Sequence, residues 1–180
     1  MANLPHYPWY GIVGGNDDVE QGDILRDCPL FFPKTVHLDD PQSRDQFGWE
    51  KRDVIVMTQS CDLVKGRGSD ADKEVLFCVL LKPSELAGSK LATKEGLNEI
   101  RTGRRPAFHL LAAIEEPGFE CEVCIVSFQH IRTLPLPFVR ERAQHNLHAR
   151  LLPPYREHLS QAFARYFMRV GLPVDIPAFR

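Results

Sequence analysis

Asp53-Val54-Ile55-Val56-Met57-Thr58-Gln59-Ser60-Cys61-Asp62 is the stretch whose reading decides the fold. Its β-branched residues favour a strand, and four apolar residues in a row imply burial on both faces. The run stops at a dense polar cluster, Thr58 to Asp62. A buried strand fixes the backbone there while the following loop exposes side chains, so this tip is a candidate site.

Working outward, 180 residues with 43% hydrophobic and 26% charged side chains suit one globular domain with a sizeable core. No apolar run approaches the ~18 residues of a membrane helix. The start, Met1-Ala2-Asn3-Leu4-Pro5-His6, has neither a basic leader nor an apolar core. A cytoplasmic protein without a membrane partner is therefore expected. Five cysteines (28, 61, 78, 121 and 124) are an odd set that a chain of this length does not need as staples, so reduced thiols are expected. The net charge of −2 excludes a generic nucleic-acid coat. It hides an asymmetry: residues 140–180 carry seven arginines against three carboxylates, +4, whereas residues 1–139 carry 15 basic and 21 acidic groups, −6. The basic tail either neutralises the acidic body or meets a phosphate-rich or acidic partner.

Residues 1–20 read as an arm that packs by the rings of Tyr7, Trp9 and Tyr10. Gln21–Leu25 starts a strand, Cys28–Pro33 is extended, and 34–52 reads as a loop or hairpin. After strand 53–58 and a Gly/Asp-rich loop at 65–73 comes a second strong strand, 74–81. Between Pro83 and Pro106 the period suits short helices, with Thr93 as a cap, Gly96 as a weak point and Gly103 as a stop. Strands follow at 108–114, 120–128 and 131–135, with a turn at Glu116-Pro117-Gly118. The closing helix starts near Pro154, and its stripe is Tyr155, Leu159, Ala162, Phe163, Tyr166, Phe167 and Val170. Gly171 then stops it, while His158, Gln161, Arg165 and Arg169 lie on the other side. The sum predicts a mostly β fold with α decoration: a small antiparallel barrel with a helical insertion and a C-terminal amphipathic helix. The predicted division is a barrel at 1–139, with its insertion at 84–105, and a helical extension at 140–180.

The Gly22-Asp23-Ile24 opening, followed by the aliphatic strand Val54–Thr58 ending in a hydroxyl, resembles the PemK/MazF group of toxins over residues 20–83. That resemblance implies an SH3-like barrel and metal-independent cleavage of single-stranded RNA by a homodimer held by an antitoxin. It would place Thr58 at the scissile phosphate. The toxins' catalytic arginine lies in the loop after the first strand, where this chain has Arg26 and Arg44. Their Arg-Pro before the second strand is replaced by Arg52-Asp53. The chain also resembles bacterial proteins of unknown function that share a Gln-Gly-Asp start, a Ser-Cys-Asp cluster and a closing Pro-Tyr-Arg-Glu-His-Leu helix.

The tip has two readings. Thr58, Gln59, Ser60 and Asp62 could bind a phosphate or a peptide carbonyl, or Ser60 and Asp62 could satisfy local backbone N–H groups in a turn. Cys61 could be a nucleophile with His109 as its base, although neighbouring Asp62 disfavours a thiolate. Cys121-Glu122-Val123-Cys124 has the spacing of half a zinc site. Its flanks read as strand, however, which points residues three apart to opposite faces, and no second ligand pair follows. Buried inert thiols, no metal and no cofactor are expected. His145, His148 and His158 read as a solvated or hydrogen-bonded face. Arg104 and Arg105 form either a positive loop mouth or surface ion pairs.

These readings converge on a binding or accessory module of a toxin or phage-defence system that contacts a partner protein or RNA. Its contact surfaces would be the 58–62 tip and the last helix with Arg165 and Arg169. The alternatives are a PemK/MazF-like ribonuclease using Thr58 with Arg26, Arg44 or Arg104, and a cysteine hydrolase using Cys61 and His109.

Overall fold

The computed structural model describes residues 7–33, 47–64 and 69–168. Seven strands form one antiparallel sheet: β1 Tyr10–Val13, β2 Asp23–Pro33, β3 Phe47–Val56, β4 Glu74–Leu81, β5 Phe108–Leu111, β6 Cys124–Pro135 and β7 His148–Leu151. They run in the order β1-β7-β2-β3-β4-β6-β5. The helices are α1 Ser60–Leu63, α2 Lys94–Arg101, α3 Leu136–His145 and α4 Tyr155–Phe167. The fold is thus β-dominated with helical decoration, as the sequence predicts.

The 53–57 run does what its composition implies. Val54 and Val56 enter one core with Leu25, Val75 and Phe77, covered by Leu136, Val139 and Ala143 of α3. Ile55 and Met57 enter a second core on the opposite face, with Leu111, Val126, Phe128, Ala149 and Leu151. Leu159 of α4 is fully buried in that second core, and Phe163 meets Phe128 edge-on at 5.4 Å. Alternate residues of one strand therefore feed two cores, and the sheet is packed on both sides.

Two irregularities shape the sheet. In β2 the register slips between Leu25 and Cys28, and Asp27 takes a positive φ of 52°. This bulge puts Cys28 and Leu30 in the same core as Leu25. Arg142 of α3 donates to the carbonyls of Arg26 and Asp27 at 3.2 and 3.1 Å, so the helix is tied to the bulge. In β6 the slip lies between Ser127 and Ile131, opposite Val79 and Cys78. The edge strands β1 and β5 share the second core, and Tyr10 Oη donates to Ala112 O at 2.8 Å. A sheet whose two edges meet in this way is strongly curled.

Several predicted boundaries move. The N-terminal arm does pack by its rings, since Trp9 stacks on Tyr155 at 3.7 Å, but Tyr10–Val13 is also a strand. Strand β3 reaches back to Phe47 and pairs with β2 as far as Pro33, the hairpin alternative of the 34–52 reading. Segments 120–128 and 131–135 belong to one strand, β6, which starts only at Cys124. Residues 140–180 are not a purely helical extension, because β7 lies inside the sheet between β1 and β2. The boundary at 139 also falls within α3. Thr93 caps α2 as predicted, accepting from Gly96 N at 3.0 Å. Gly96 is required rather than merely tolerated, since a Cβ there would stand 1.9 Å from Lys90 O. Phe167 is 54% exposed, so it ends the apolar stripe early. Arg44, Arg169, Val170 and the Gly171 stop lie outside the described residues. Among the described residues, no helix is long and apolar enough to cross a membrane.

Candidate functional site

The polar tip is built by the end of β3. Met57 N donates to Leu76 O at 2.8 Å, and Leu76 N donates to Thr58 Oγ1 at 2.7 Å. The threonine hydroxyl thus takes the place of a carbonyl and completes the β3–β4 ladder. Ser60 Oγ accepts from Gln21 N at 3.1 Å, and Gln21 Nε2 donates to Met57 O at 2.8 Å. Gly22 N adds a bond to Val56 O at 2.9 Å. Glycine is needed at 22, where φ is +91° and a Cβ would lie 3.2 Å from Leu151 Cβ. The Gln21-Gly22 and Thr58–Ser60 clusters are therefore bonded to each other. Ser60 satisfies a distant backbone N–H instead of a local one. Gln59, Cys61 and Asp62 are exposed, with Cys61 Sγ 3.7 Å from both Gln59 Oε1 and Asp62 Oδ1.

Beneath the tip lies a buried charge network. Asp23 is fully buried. Its Oδ2 accepts from Glu20 N at 2.9 Å and lies 3.2 Å from His148 Nε2. Arg150 donates to Oδ1 through Nε at 2.6 Å and to Oδ2 through Nη2 at 3.0 Å, a bidentate fork. The same guanidinium reaches Glu20 Oε1 at 2.9 Å. His148 is thus a core residue on β7, 1% exposed, and not part of a solvated face. These groups lock the 20–23 turn to β7.

A different kind of place forms around β5. Two adjoining cavities of about 410 and 500 Å³ share Ile100, Arg101, His109 and His158 as lining. They form one cleft between α2, β5 and α4. Its first part runs along Trp9, Tyr155 and Val123. Its second runs along Phe108, Gln161 and Arg165. Among the described residues, no aspartate or glutamate lines either part. Arg101 Nη2 donates to Asn98 Oδ1 at 2.7 Å, a neutral partner that aims the guanidinium without neutralising it. Burial pushes the His109 imidazole down to about 4, and the neighbouring His158 adds to the shift. His109 is therefore neutral near pH 7. An apolar cleft with a few convergent polar groups and a perturbed histidine is the usual form of a ligand site.

The remaining candidates fall elsewhere. His109 does not meet Cys61. It lies on β5, three strands from β3, which is about 14 Å along the sheet at ~4.8 Å per strand, and none of 58–62 lines its cleft. Arg26 lies over the Phe119 ring, 3.8 Å from its centroid, and donates to Glu120 O at 2.6 Å. Arg105 is ion-paired with Glu99 at 2.6 Å, and Arg104 is exposed in the turn after α2. His145 Nδ1 is bonded to Glu141 O at 2.7 Å. Cys121 and Cys124 do not point to opposite faces. Residues 122 and 123 are not strand, and the two sulfurs converge to 3.3 Å. Among the described residues, no three His, Cys, Asp or Glu side chains cluster as metal ligands. Arg165 and His158 could be read as polar positions of the last helix. Arg101 and the pairing of His109 with His158 could not, because the histidines are far apart in the chain and only the fold brings β5 beside α4.

No protein-family model matches the chain, and no curated protein matches it.

Proposed function

We propose that this protein is a binding module for a phosphate-bearing chain, and that single-stranded RNA occupies the cleft between α2, β5 and α4. The observation that supports this most is the lining. Arg101, Arg165 and Gln161 are joined there by two histidines, with no carboxylate among the described residues. Guanidinium groups fork onto phosphate oxygens, and an acid in the same walls would compete for them. Trp9, Tyr155 and Phe108 line the same path, and rings of this kind stack bases with little regard to sequence. Residues 58–62 of the tip offer no guanidinium and no ring, and their two hydroxyls are each engaged by a backbone donor.

The net charge of −2 fits a local contact and not a coat that tracks a long strand. Two phosphate contacts on a single strand give a log–log salt slope of about −1.4. Titration of a labelled single-stranded RNA decamer, followed by anisotropy at several salt concentrations, tests both points. Saturable binding with that shallow slope supports the reading. No binding at low salt sinks it.

A second reading is favoured by the histidine pair. A neutral His109 is a base able to take a proton from a ribose 2′-hydroxyl, and a second histidine in the same cleft could return one to the leaving 5′ oxygen. The arginines would stabilise the charge that develops at phosphorus. This moves the metal-independent ribonuclease expectation from Thr58 to the cleft. Cleavage of the decamer in EDTA that survives Thr58→Val and is lost in His109→Asn would support it. Intact RNA with wild-type protein would leave the binding reading alone.

A further inference from the structure

The geometry points to a second site, beside the cleft that Val123 lines: Cys121 and Cys124 are a dithiol pair that exchanges with small disulfides, Cys121 attacking and Cys124 resolving. The two sulfurs lie 3.3 Å apart. An S–S bond of about 2.05 Å is therefore reached by closing roughly 1.3 Å, within what side-chain rotation supplies. The backbone is set for it. Cys121 is held by a reciprocal pair of hydrogen bonds with Ile114, at 2.8 and 2.9 Å, and Cys124 opens β6. Glu122 and Val123 link them outside regular structure, and Cys124 Sγ also bonds Glu122 O at 3.3 Å.

The two sulfurs differ in the way an exchange pair requires. Cys121 is half-buried and reachable, whereas Cys124 is 4% exposed. The Cys121 thiol is drawn down to about 7, chiefly by the hydrogen bond from Cys124. The burial of Cys121 opposes this, Lys82 and Arg26 add to it, and Asp53 works against them. Cys124 is pushed up, first by its partner and then by its own burial. The more accessible Cys121 is thus the sulfur that ionises first, while Cys124 keeps its proton longer. A metal site is disfavoured, because no third ligand joins the pair in a cluster among the described residues.

The reaction balances with a low-molecular-weight disulfide, RSSR, as oxidant. Cys121 thiolate attacks one sulfur of RSSR, forming Cys121–S–S–R and releasing RS⁻, which takes a proton. Cys124 loses its proton and attacks Cys121 sulfur, expelling the second RS⁻. The protein gives up two electrons and the one proton of Cys124, solvent supplies the second proton, and RSSR becomes two RSH.

The test uses the full chain with glutathione disulfide as probe, read by mass spectrometry of peptides after alkylation of remaining thiols. A 121–124 disulfide should form without a lasting adduct at either position. The Cys124→Ser protein should stop at a glutathione adduct on Cys121. The Cys121→Ser protein should carry no adduct on Cys124. Alkylation of Cys121 by iodoacetamide should show a midpoint near pH 7 in the unaltered chain, a readout that survives if a variant does not fold. The proposal is overturned if Cys121 and Cys124 remain alkylatable after glutathione disulfide has modified exposed Cys61. It is equally overturned if the Cys121 midpoint lies at that of an ordinary thiol, about 8.5.

Discussion

The tip at the end of β3 and the cleft beside β5 are both polar places on one sheet, and they differ in what their groups still lack. At the tip, Thr58 and Ser60 accept from Leu76 N and Gln21 N, and Gln21 returns a bond to Met57 O. The cluster is dense because the chain has two turns to hold together there. In the cleft the polar groups come from separate elements, and Arg101, Arg165, His109 and His158 converge on one space without a carboxylate among the described residues. Polar density in a sequence therefore marks where backbone must be satisfied as readily as where a ligand binds. What separates the two is the count of partners already made.

The strongest way to break this contrast is at Asp23, under the tip. Asp23→Ala leaves the Arg150 fork and His148 without their shared carboxylate. Loss of one partner of a buried ion pair costs about 3–5 kcal/mol, read as a lower urea midpoint. A loss below about 1 kcal/mol, the scale of an exposed pair, would show that the 20–23 turn does not depend on this network.

Acid should act on the cleft next. His109 is held at about 4 when folded and near 6.5 when unfolded. The unfolded chain thus binds the extra proton between those values. The contribution is present above about pH 6.5 and is lost as pH falls toward about 4, by at most about 3 kcal/mol. His109→Leu should flatten that part of the stability profile; an unchanged profile would contradict the burial of the ring. A bound phosphate raises the His109 pKa again, so RNA affinity should rise as the solution is acidified from neutral. Among the described residues, Arg101 of α2 and Tyr155, His158 and Arg165 of α4 are the other charged or titratable groups facing this space.

The smallest effect belongs to Thr58. Thr58→Val strands Leu76 N and should cost about 1–3 kcal/mol, measured by denaturation, with RNA binding unaltered. A binding defect out of proportion to that loss would return the site to the tip.

The Val54–Val56 end of β3 and most of β4 are legible in the sequence because they are buried on two faces, and burial of that kind selects an uninterrupted aliphatic run, whereas the mostly exposed start of β3 carries no such run. Strand β7, His148-Ala149-Arg150-Leu151, was concealed for the opposite reason. Two of its four residues are polar and enter the interior only because Asp23, 125 and 127 positions away, receives them. The same distance problem concealed the cleft, whose histidines come from β5 and α4. At Cys121 and Cys124 the β-branched neighbours suggest strand, while Glu122 and Val123 leave the strand pattern and the sulfurs come together. At the tip Gln59, Cys61 and Asp62 lie at the surface, whereas Thr58 and Ser60 accept from Leu76 N and Gln21 N, bonds that no local pattern displays.

The most direct test compares three proteins with the labelled RNA decamer: the unaltered chain, Arg101→Ala/Arg165→Ala, and Gln59→Ala/Asp62→Ala. The cleft pair should lose at least about tenfold in affinity, about 1.4 kcal/mol, while the tip pair binds as the unaltered chain does. Undiminished binding by the cleft pair, or a comparable loss confined to the tip pair, would contradict the account.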